Sequence, residues 1–560
     1  MAGLDLDEIA VLADRLARRR ETVGLAVAVL DGGETVFAKG YGVTRAGGSG
    51  VPVTPATLFG LGSIAKNLCA CLIMRLVERG RLHLDEPLVA LDPGLEFSDP
   101  LLGRAITLRH VLSHTTGLPA AGKDFGPVHP EALREFVRRQ VSAYRFLFLP
   151  GAAHNYSNVA YCLAGHVAEV VTGSGYDTLV AEHVFEPLGM HAATFDPDLA
   201  AARGLAPPHR PDPDGSPVPA LLARNASGNP SSFTLASLND LCALAAMYLV
   251  RGAVFGERYL WPQSLDEMMR AQVDRGIGPA PYELSQVNRA YGLGFYVGSY
   301  RRHRVARHGG VSQSYNCFFE LLPDDGRALV VLCNHADDAA LTELVAGVYD
   351  VVTGRRPAGL AKRRAPGPAK GRDLSEWTGT YVDFEYGGIV EVMTRSYGGA
   401  VLRRESEELE IVPLSGTDGY ARAPSGRLPL ALRPRAGADR EHVLIVGGRP
   451  YLALEQSGPV PTVEMLQRLA GRYRDPTNLA DDGALEVTVA GGALRVSDGG
   501  EWYDCRPLGG SRFTCGLGVL DFDDRRDNPY SDGGPRYVQQ GGATLYFRKL
   551  AADIAAWADS

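Results

Sequence analysis

Three short stretches carry side chains that could attack a carbonyl carbon and move the protons this requires. The first is Gly62-Ser63-Ile64-Ala65-Lys66, which opens an apolar helix running from Asn67 to Arg79. Residues i and i+3 share a helical face, so the Ser63 hydroxyl and the Lys66 amine can meet. A serine hydroxyl is a weak nucleophile until a neighbouring base takes its proton, and a lysine does this when burial keeps it neutral near pH 7. The helix N-terminus also sets backbone N–H groups beside an oxygen that gains negative charge. The second stretch, Tyr156-Ser157-Asn158, follows Pro150-Gly151 and precedes another apolar helix, so a loop presents a phenol and an amide side by side. The third, His308-Gly309-Gly310-Val311, lies between the strand-like GLGFYVGSYRRHRVAR and CFFELL, as expected of a sheet-edge strand that admits an extended substrate beside it.

Other patterns carry less. His110 and His114 have the i, i+4 spacing of a helical metal pair, but no acid or third ligand accompanies them, so no metal is expected. His154 reads as a packed loop histidine beside Tyr156. Gly60-Leu61-Gly62 lacks the spacing and the Gly-Lys-Ser/Thr ending of a phosphate loop.

The elements that must hold these residues exceed one core. A chain of 560 residues points to two to four domains. A net charge of −8 argues against nucleic acid as a partner, since phosphate binding needs a clustered basic surface. No stretch approaches the roughly 18 to 20 uninterrupted apolar residues that span a bilayer, and the start reads as an amphipathic helix rather than a signal peptide. No membrane partner and a cytoplasmic location are expected. The eight cysteines, in apolar contexts without paired spacing, read as reduced buried thiols.

Residues 1–352 alternate strands such as GLAVAVLDGGETVFAKGYG with helices such as SLNDLCALAAMYLVRG, the pattern of one large α/β or α+β domain. Residues 353–372 hold seven basic residues, three prolines and no acid, and read as a linker. Beyond it, short alternating strands and Gly-rich turns point to small antiparallel β-barrels over 373–460 and 461–560. These two segments repeat each other. Trp377-Thr378-Gly379-Thr380-Tyr381 recurs as Leu469-Ala470-Gly471-Arg472-Tyr473, and Pro413-Leu414 recurs as Pro507-Leu508, at offsets of 92 and 94 residues.

The order Ser63-x-x-Lys66, Tyr156-x-Asn158, His308-Gly309-Gly310 resembles the penicillin-recognising serine enzymes of the class C β-lactamase, D,D-peptidase and esterase type. LHLDEPL, ITLRHVLSHTTGLP and FEPLGMHAATF are similar to structural signatures of that group. The resemblance spans roughly residues 8 to 352 and implies an α+β fold, an antiparallel sheet flanked by helices plus a helical lobe, with the site between them. It implies Ser63 as acylated nucleophile, Lys66 as its proton partner, Tyr156 as the base that also protonates the leaving group, and Asn158 as holder of the substrate amide. The oxyanion hole would be the backbone N–H groups of Ser63 and Val311, with Gly309 and Gly310 along the substrate. His308 departs from the usual Lys-Thr-Gly and removes a permanent anchor for a substrate carboxylate, which counts against β-lactamase and carboxypeptidase activity.

The layout resembles that of D-aminopeptidases, which implies a hydrolase for peptides, amides or esters of small D-residues, without cofactor. In that group a loop of the last barrel reads the substrate amine; Asp521, Asp523, Asp524 and Asp527 in LDFDDRRDNPY are the corresponding candidates. The alternatives are an acyltransferase that cyclises peptides, an esterase of the same fold, and an inactive peptide-binding homologue; a homodimer is compatible with each.

Overall fold

In a computed structural model of the chain, residues 4–549 are described apart from 20–21, 120–125, 145, 147, 213, 215, 276–285, 313, 336–337 and 355–373. Beyond Leu374 several stretches between strands are also left out, the longest being 435–441, 454–461, 475–483 and 524–536. The expected linker thus lies almost wholly outside the described residues. The chain divides into two compact units, the first comprising Met1–Leu118 and Gly122–Pro366 and the second Pro119–Ala121 and Gly367–Ser560.

The first unit is built on one antiparallel sheet. Helix α1 (Leu6–Ala17) leads into β1 (Gly24–Asp31) and β2 (Glu34–Gly42); α2 (Ala65–Glu78), α3 (Asn158–Thr172) and α4 (Leu238–Leu249) follow. The remaining strands of this sheet are β3 (Val273–Asp274), β4 (Ala290–Tyr291), β5 (Tyr296–Tyr300), β6 (His303–Ser312), β7 (Tyr315–Leu322) and β8 (Arg327–Cys333), and α5 (Asp338–Val352) follows them. The sheet order is β2-β1-β8-β7-β6-β5-β4-β3. Strand β1 is buried along nearly its whole length rather than on alternate residues. Helices cover both its faces: α1 and α5 pack against Leu25, Val27 and Val29, and α4 packs on β1 and β8. A strand covered on both sides needs a continuous apolar run, which GLAVAVL supplies.

Strand β6 is interior rather than an edge, lying between β5 and β7. Its pairing with β5 ends at Arg307, however, while its pairing with β7 continues from His308 to Ser312. The expected edge is therefore real only locally, over the five residues that overhang β5.

In the second unit, eight strands between Gly379 and Ala453 form a closed antiparallel barrel, with Gly379–Val382 pairing to both Ile389–Thr394 and Arg449–Ala453. The repeat appears in the register: Gly379 faces Val392 and Val382 faces Leu452, as Gly471 faces Val487 and Arg474 faces Arg548. The second repeat differs from the barrel expected of it. Its nine strands form a sheet whose end strands, Trp502–Asp504 and Arg506–Gly509, are consecutive in the chain. Where the single strand Glu407–Pro413 bridges both its neighbours, the corresponding stretch breaks at Cys505, whose N–H bonds Leu494 O at 2.8 Å.

Candidate active site

Ser63 lies on a short 3₁₀ turn, Gly62–Ile64, that runs directly into α2. The nucleophile candidate is half-exposed while Lys66 is fully buried. Lys66 Nζ donates to Ser63 Oγ at 3.1 Å, to Asn158 Oδ1 at 2.7 Å and to the Ser231 carbonyl at 2.8 Å. Three acceptors satisfy an ammonium. A neutral amine keeps two donors on Asn158 and Ser231, whose oxygens only accept, and its lone pair is left facing the Ser63 hydroxyl. Burial drives the Lys66 ammonium down to about 7, with the Cys162 and Cys69 thiols acting the other way. Both protonation states are thus populated near neutrality.

Tyr156 and Asn158 flank Ser157, whose hydroxyl caps α3 by accepting the Ala160 N–H at 3.2 Å. That cap explains why a phenol and an amide emerge together. The preceding loop is clamped by the His114-Thr115-Thr116-Gly117 turn. Gly151 N–H donates to Thr115 O at 2.7 Å, Asn155 N–H to His114 O at 2.8 Å, and Ser157 N–H to His114 Nδ1 at 3.0 Å. His114 is fully buried at a positive φ of 58°, with its ring centroid 4.2 Å from that of Tyr156. The two histidines of the helical pair therefore serve backbone: His114 accepts from Ser157, and His110 Nδ1 accepts from Thr107 N–H at 3.3 Å. No group of three or more metal-ligating side chains occurs among the described residues.

Burial pushes the Tyr156 phenol well above the usual tyrosine range, and Tyr296, stacked parallel at 6.4 Å, adds to this; its hydrogen bond to Ser63 and the charge of Arg275 oppose it. At neutral pH this phenol holds its proton, so it is a donor before it is a base.

On the other wall, Gly62 and Gly310 let β6 meet the turn that carries Ser63. A methyl group on Gly62, at φ +52°, would fall 2.7 Å from the Val311 nitrogen, and one on Gly310 would fall 1.8 Å from Leu61 O. Val311 thus brings its backbone against Gly62, the residue before Ser63, while the residue stays 64% exposed. His308 is 1% exposed. Its Nδ1–H donates to Gly309 O at 2.7 Å, which leaves Nε2 to accept from Tyr291 Oη at 2.9 Å. Burial, with the charge of Lys66, lowers the imidazolium to about 3. The residue is a neutral, fully bonded wall and offers no cation to a substrate.

Sequence reasoning missed Ser231, Tyr291, Tyr296 and Arg275. The Arg275 guanidinium lies 4.5 Å from the Tyr296 ring centroid, with Nε donating to His154 Nδ1 at 3.4 Å and Nη1 to Asn288 O at 3.1 Å. None sits in a local motif: Ser231 meets Lys66 across 165 residues, Arg275 meets His154 across 121, and Tyr291 meets His308 across 17. His154 is buried, as a packed loop histidine should be. Asp521 and Asp523 belong to the second unit and are not in a loop: both lie on the strand Gly518–Asp523, opposite Gln539 and Tyr537. Asp524 and Asp527 fall outside the described residues.

The Beta-lactamase family model matches residues 10–348, so the chain belongs to the β-lactamase and penicillin-binding-protein family of serine hydrolases. Penicillin-binding protein 4 of Amycolatopsis lactamdurans is 28% identical over 375 residues, 66% of this chain and 95% of that one. The D-alanyl-D-alanine-carboxypeptidase/endopeptidase AmpH of Escherichia coli (strain K12) is 25% identical over 348 residues, 61% of this chain and 87% of its own. The solved structure of SurE with D-Leu is similar at a TM-score of 0.60 and 25% identity, over 80% of this chain and 99% of that one. No described helix is long and apolar enough to cross a membrane.

Proposed function

We propose that this hydrolase works through an acyl-enzyme on Ser63 and acts on peptides, amides or esters of small D-configured residues, as a D-stereospecific aminopeptidase or amidase. The carrying observation is the Lys66 amine, buried, 3.1 Å from Ser63 Oγ and bonded otherwise only to acceptors. Neutral Lys66 takes the Ser63 proton as Oγ adds to the substrate carbonyl. The N–H groups of Ser63 and Val311 receive the oxyanion. The C–N or C–O bond then breaks, Tyr156 gives its proton to the leaving amine or alkoxide, and the protonated Lys66 restores it. Water reverses these steps to free the acid. Support for D-residues comes from SurE, solved with D-Leu, and from AmpH, named for D-alanyl-D-alanine. The repeated β assemblies of the second unit support the aminopeptidase layout.

Intact-protein mass spectrometry after brief exposure to D-alanine p-nitroanilide, D-alanine methyl ester and an N-blocked D-residue thioester tests this, with a peptide amine as competing acceptor. An adduct from the free-amine substrates, released to water and abolished in Ser63→Ala, is the expected result. An adduct only from the blocked thioester, released to the amine, would assign peptide cyclisation instead. Undiminished turnover in Ser63→Ala would refute the acyl-enzyme.

A further inference from the structure

A cavity of about 310 Å³ opens in the first unit against the same walls that hold the nucleophile. Its lining includes Ser232, next to the Ser231 whose carbonyl holds Lys66; Ser312, next to Val311; and Gly60, three residues before Ser63. Ser232 and Ser312 are each one residue, about 3.8 Å between Cα atoms, from Ser231 and Val311, so the cavity shares two backbone walls with the site.

Asp177 and Asp196 both line the cavity without an ion pair among the described residues, and of the two only Asp177 accepts no backbone N–H there. Asp177, at the start of the helix Tyr176–Val180, lines it and is exposed there. Its carboxylate accepts one hydrogen bond, from Asn229 Nδ2 at 2.8 Å, and makes no ion pair among the described residues. The other charged lining groups are engaged: Asp196 accepts the N–H groups of Asp198 and Leu199, and Arg224 pairs with Asp198 at 3.2 Å. Surrounding protein raises the Asp177 carboxyl above the ordinary aspartate range, with only the Asn229 bond opposing it. Thr234, also lining the cavity, is 1% exposed and its hydroxyl has no partner. A solvent-facing carboxylate held by one neutral donor and a buried hydroxyl without a partner can both be answered by one cationic hydrogen-bond donor in this space.

We propose that this cavity is a specificity subsite for a primary ammonium group on the acyl residue of the substrate, with Asp177 as its counter-charge. The inference rests on the acyl-enzyme reading and narrows its substrate class. The ammonium comes either from the α-amine or from a basic side chain, and both donate to one carboxylate in the same way.

Three p-nitroanilides separate these sources: N-acetyl-D-norleucine carries no amine, D-norleucine an α-amine, and N-acetyl-D-lysine a side-chain amine. Wild type is expected to favour one amine-bearing donor over the neutral one by at least tenfold in kcat/KM. Asp177→Asn, which keeps the Asn229 bond, should lower that donor's kcat/KM by roughly 10- to 100-fold, the scale of a lost hydrogen bond to a charged group, and bring the preference towards one. Asp177→Glu should restore part of it. A neutral donor as good as both amines, or a preference that survives Asp177→Asn, overturns the proposal. Should no anilide acylate Ser63, the acyl-enzyme reading fails separately, and calorimetric binding of the three matching amides to wild type and Asp177→Asn still decides the role of Asp177 by the same ratio.

Discussion

Lys66 and His308 are buried nitrogen bases on opposite walls of one site, yet the structure prepares them for opposite fates. Burial lowers both, Lys66 to about 7 and His308 to about 3. The difference lies in their partners. His308 has one carbonyl and one phenol, which together use its single donor and single acceptor. Lys66 has two fixed acceptors and one hydroxyl able to reverse the direction of its hydrogen bond. Burial sets the proton affinity of a base, and the reversibility of its neighbours decides whether that proton can move.

The contrast breaks most sharply at Lys66. Lys66→Ala should slow acylation by at least about 10³-fold in single-turnover kinetics, because members of such a constellation act as a unit. A loss under tenfold would place the proton transfer elsewhere. Next comes the seam between the walls. Gly62→Ala adds a methyl group 2.7 Å from the Val311 nitrogen at a left-handed φ, and should displace the proposed oxyanion donors, Ser63 and Val311 N–H, at a cost of about 10²-fold in kcat with the fold retained by circular dichroism. The smallest catalytic effect is expected at His308. His308→Asn should change acylation by no more than about tenfold while lowering stability by about 1–3 kcal/mol, since Tyr291 loses its partner in a buried setting.

That variant also sharpens the comparison through pH. The folded chain leaves His308 neutral down to about 3, whereas an unfolded chain protonates it below 6.5. Its linkage therefore removes stability as pH falls from 6.5 towards 3, and none above that range. Thermal midpoints should fall less steeply between pH 7 and 5 in His308→Asn than in wild type. Equal slopes would mean that other groups, such as buried His114 and His154, account for the acid sensitivity.

What the chain discloses before folding follows the range of each interaction. Ser63 and Lys66 are three residues apart, and helical spacing alone brings them together. Tyr156 and Asn158 stand beside a serine that caps a helix, again a local device. Lys66 bonding Asn158, 92 residues away, follows only once α2 packs on α3. The sealed state of His308 was hidden for the same reason, because Tyr291 reaches it through strand pairing. Asp521 and Asp523 were misplaced although the signal was present. Leu520 and Phe522 alternate with them at the period of a strand, and Leu520 is fully buried. The break at Cys505 has no counterpart in the repeat pattern, since composition there does not separate one bridging strand from two.

The most direct test of the account is the rate of Ser63 acylation as a function of pH, read on the tryptic peptide that contains Ser63 after quenched single turnover. The account predicts label on Ser63 alone, with a rate that rises as Lys66 loses its proton and is half-maximal near pH 7. Label on another residue, or a rate that stays flat between pH 6 and 8, would contradict it.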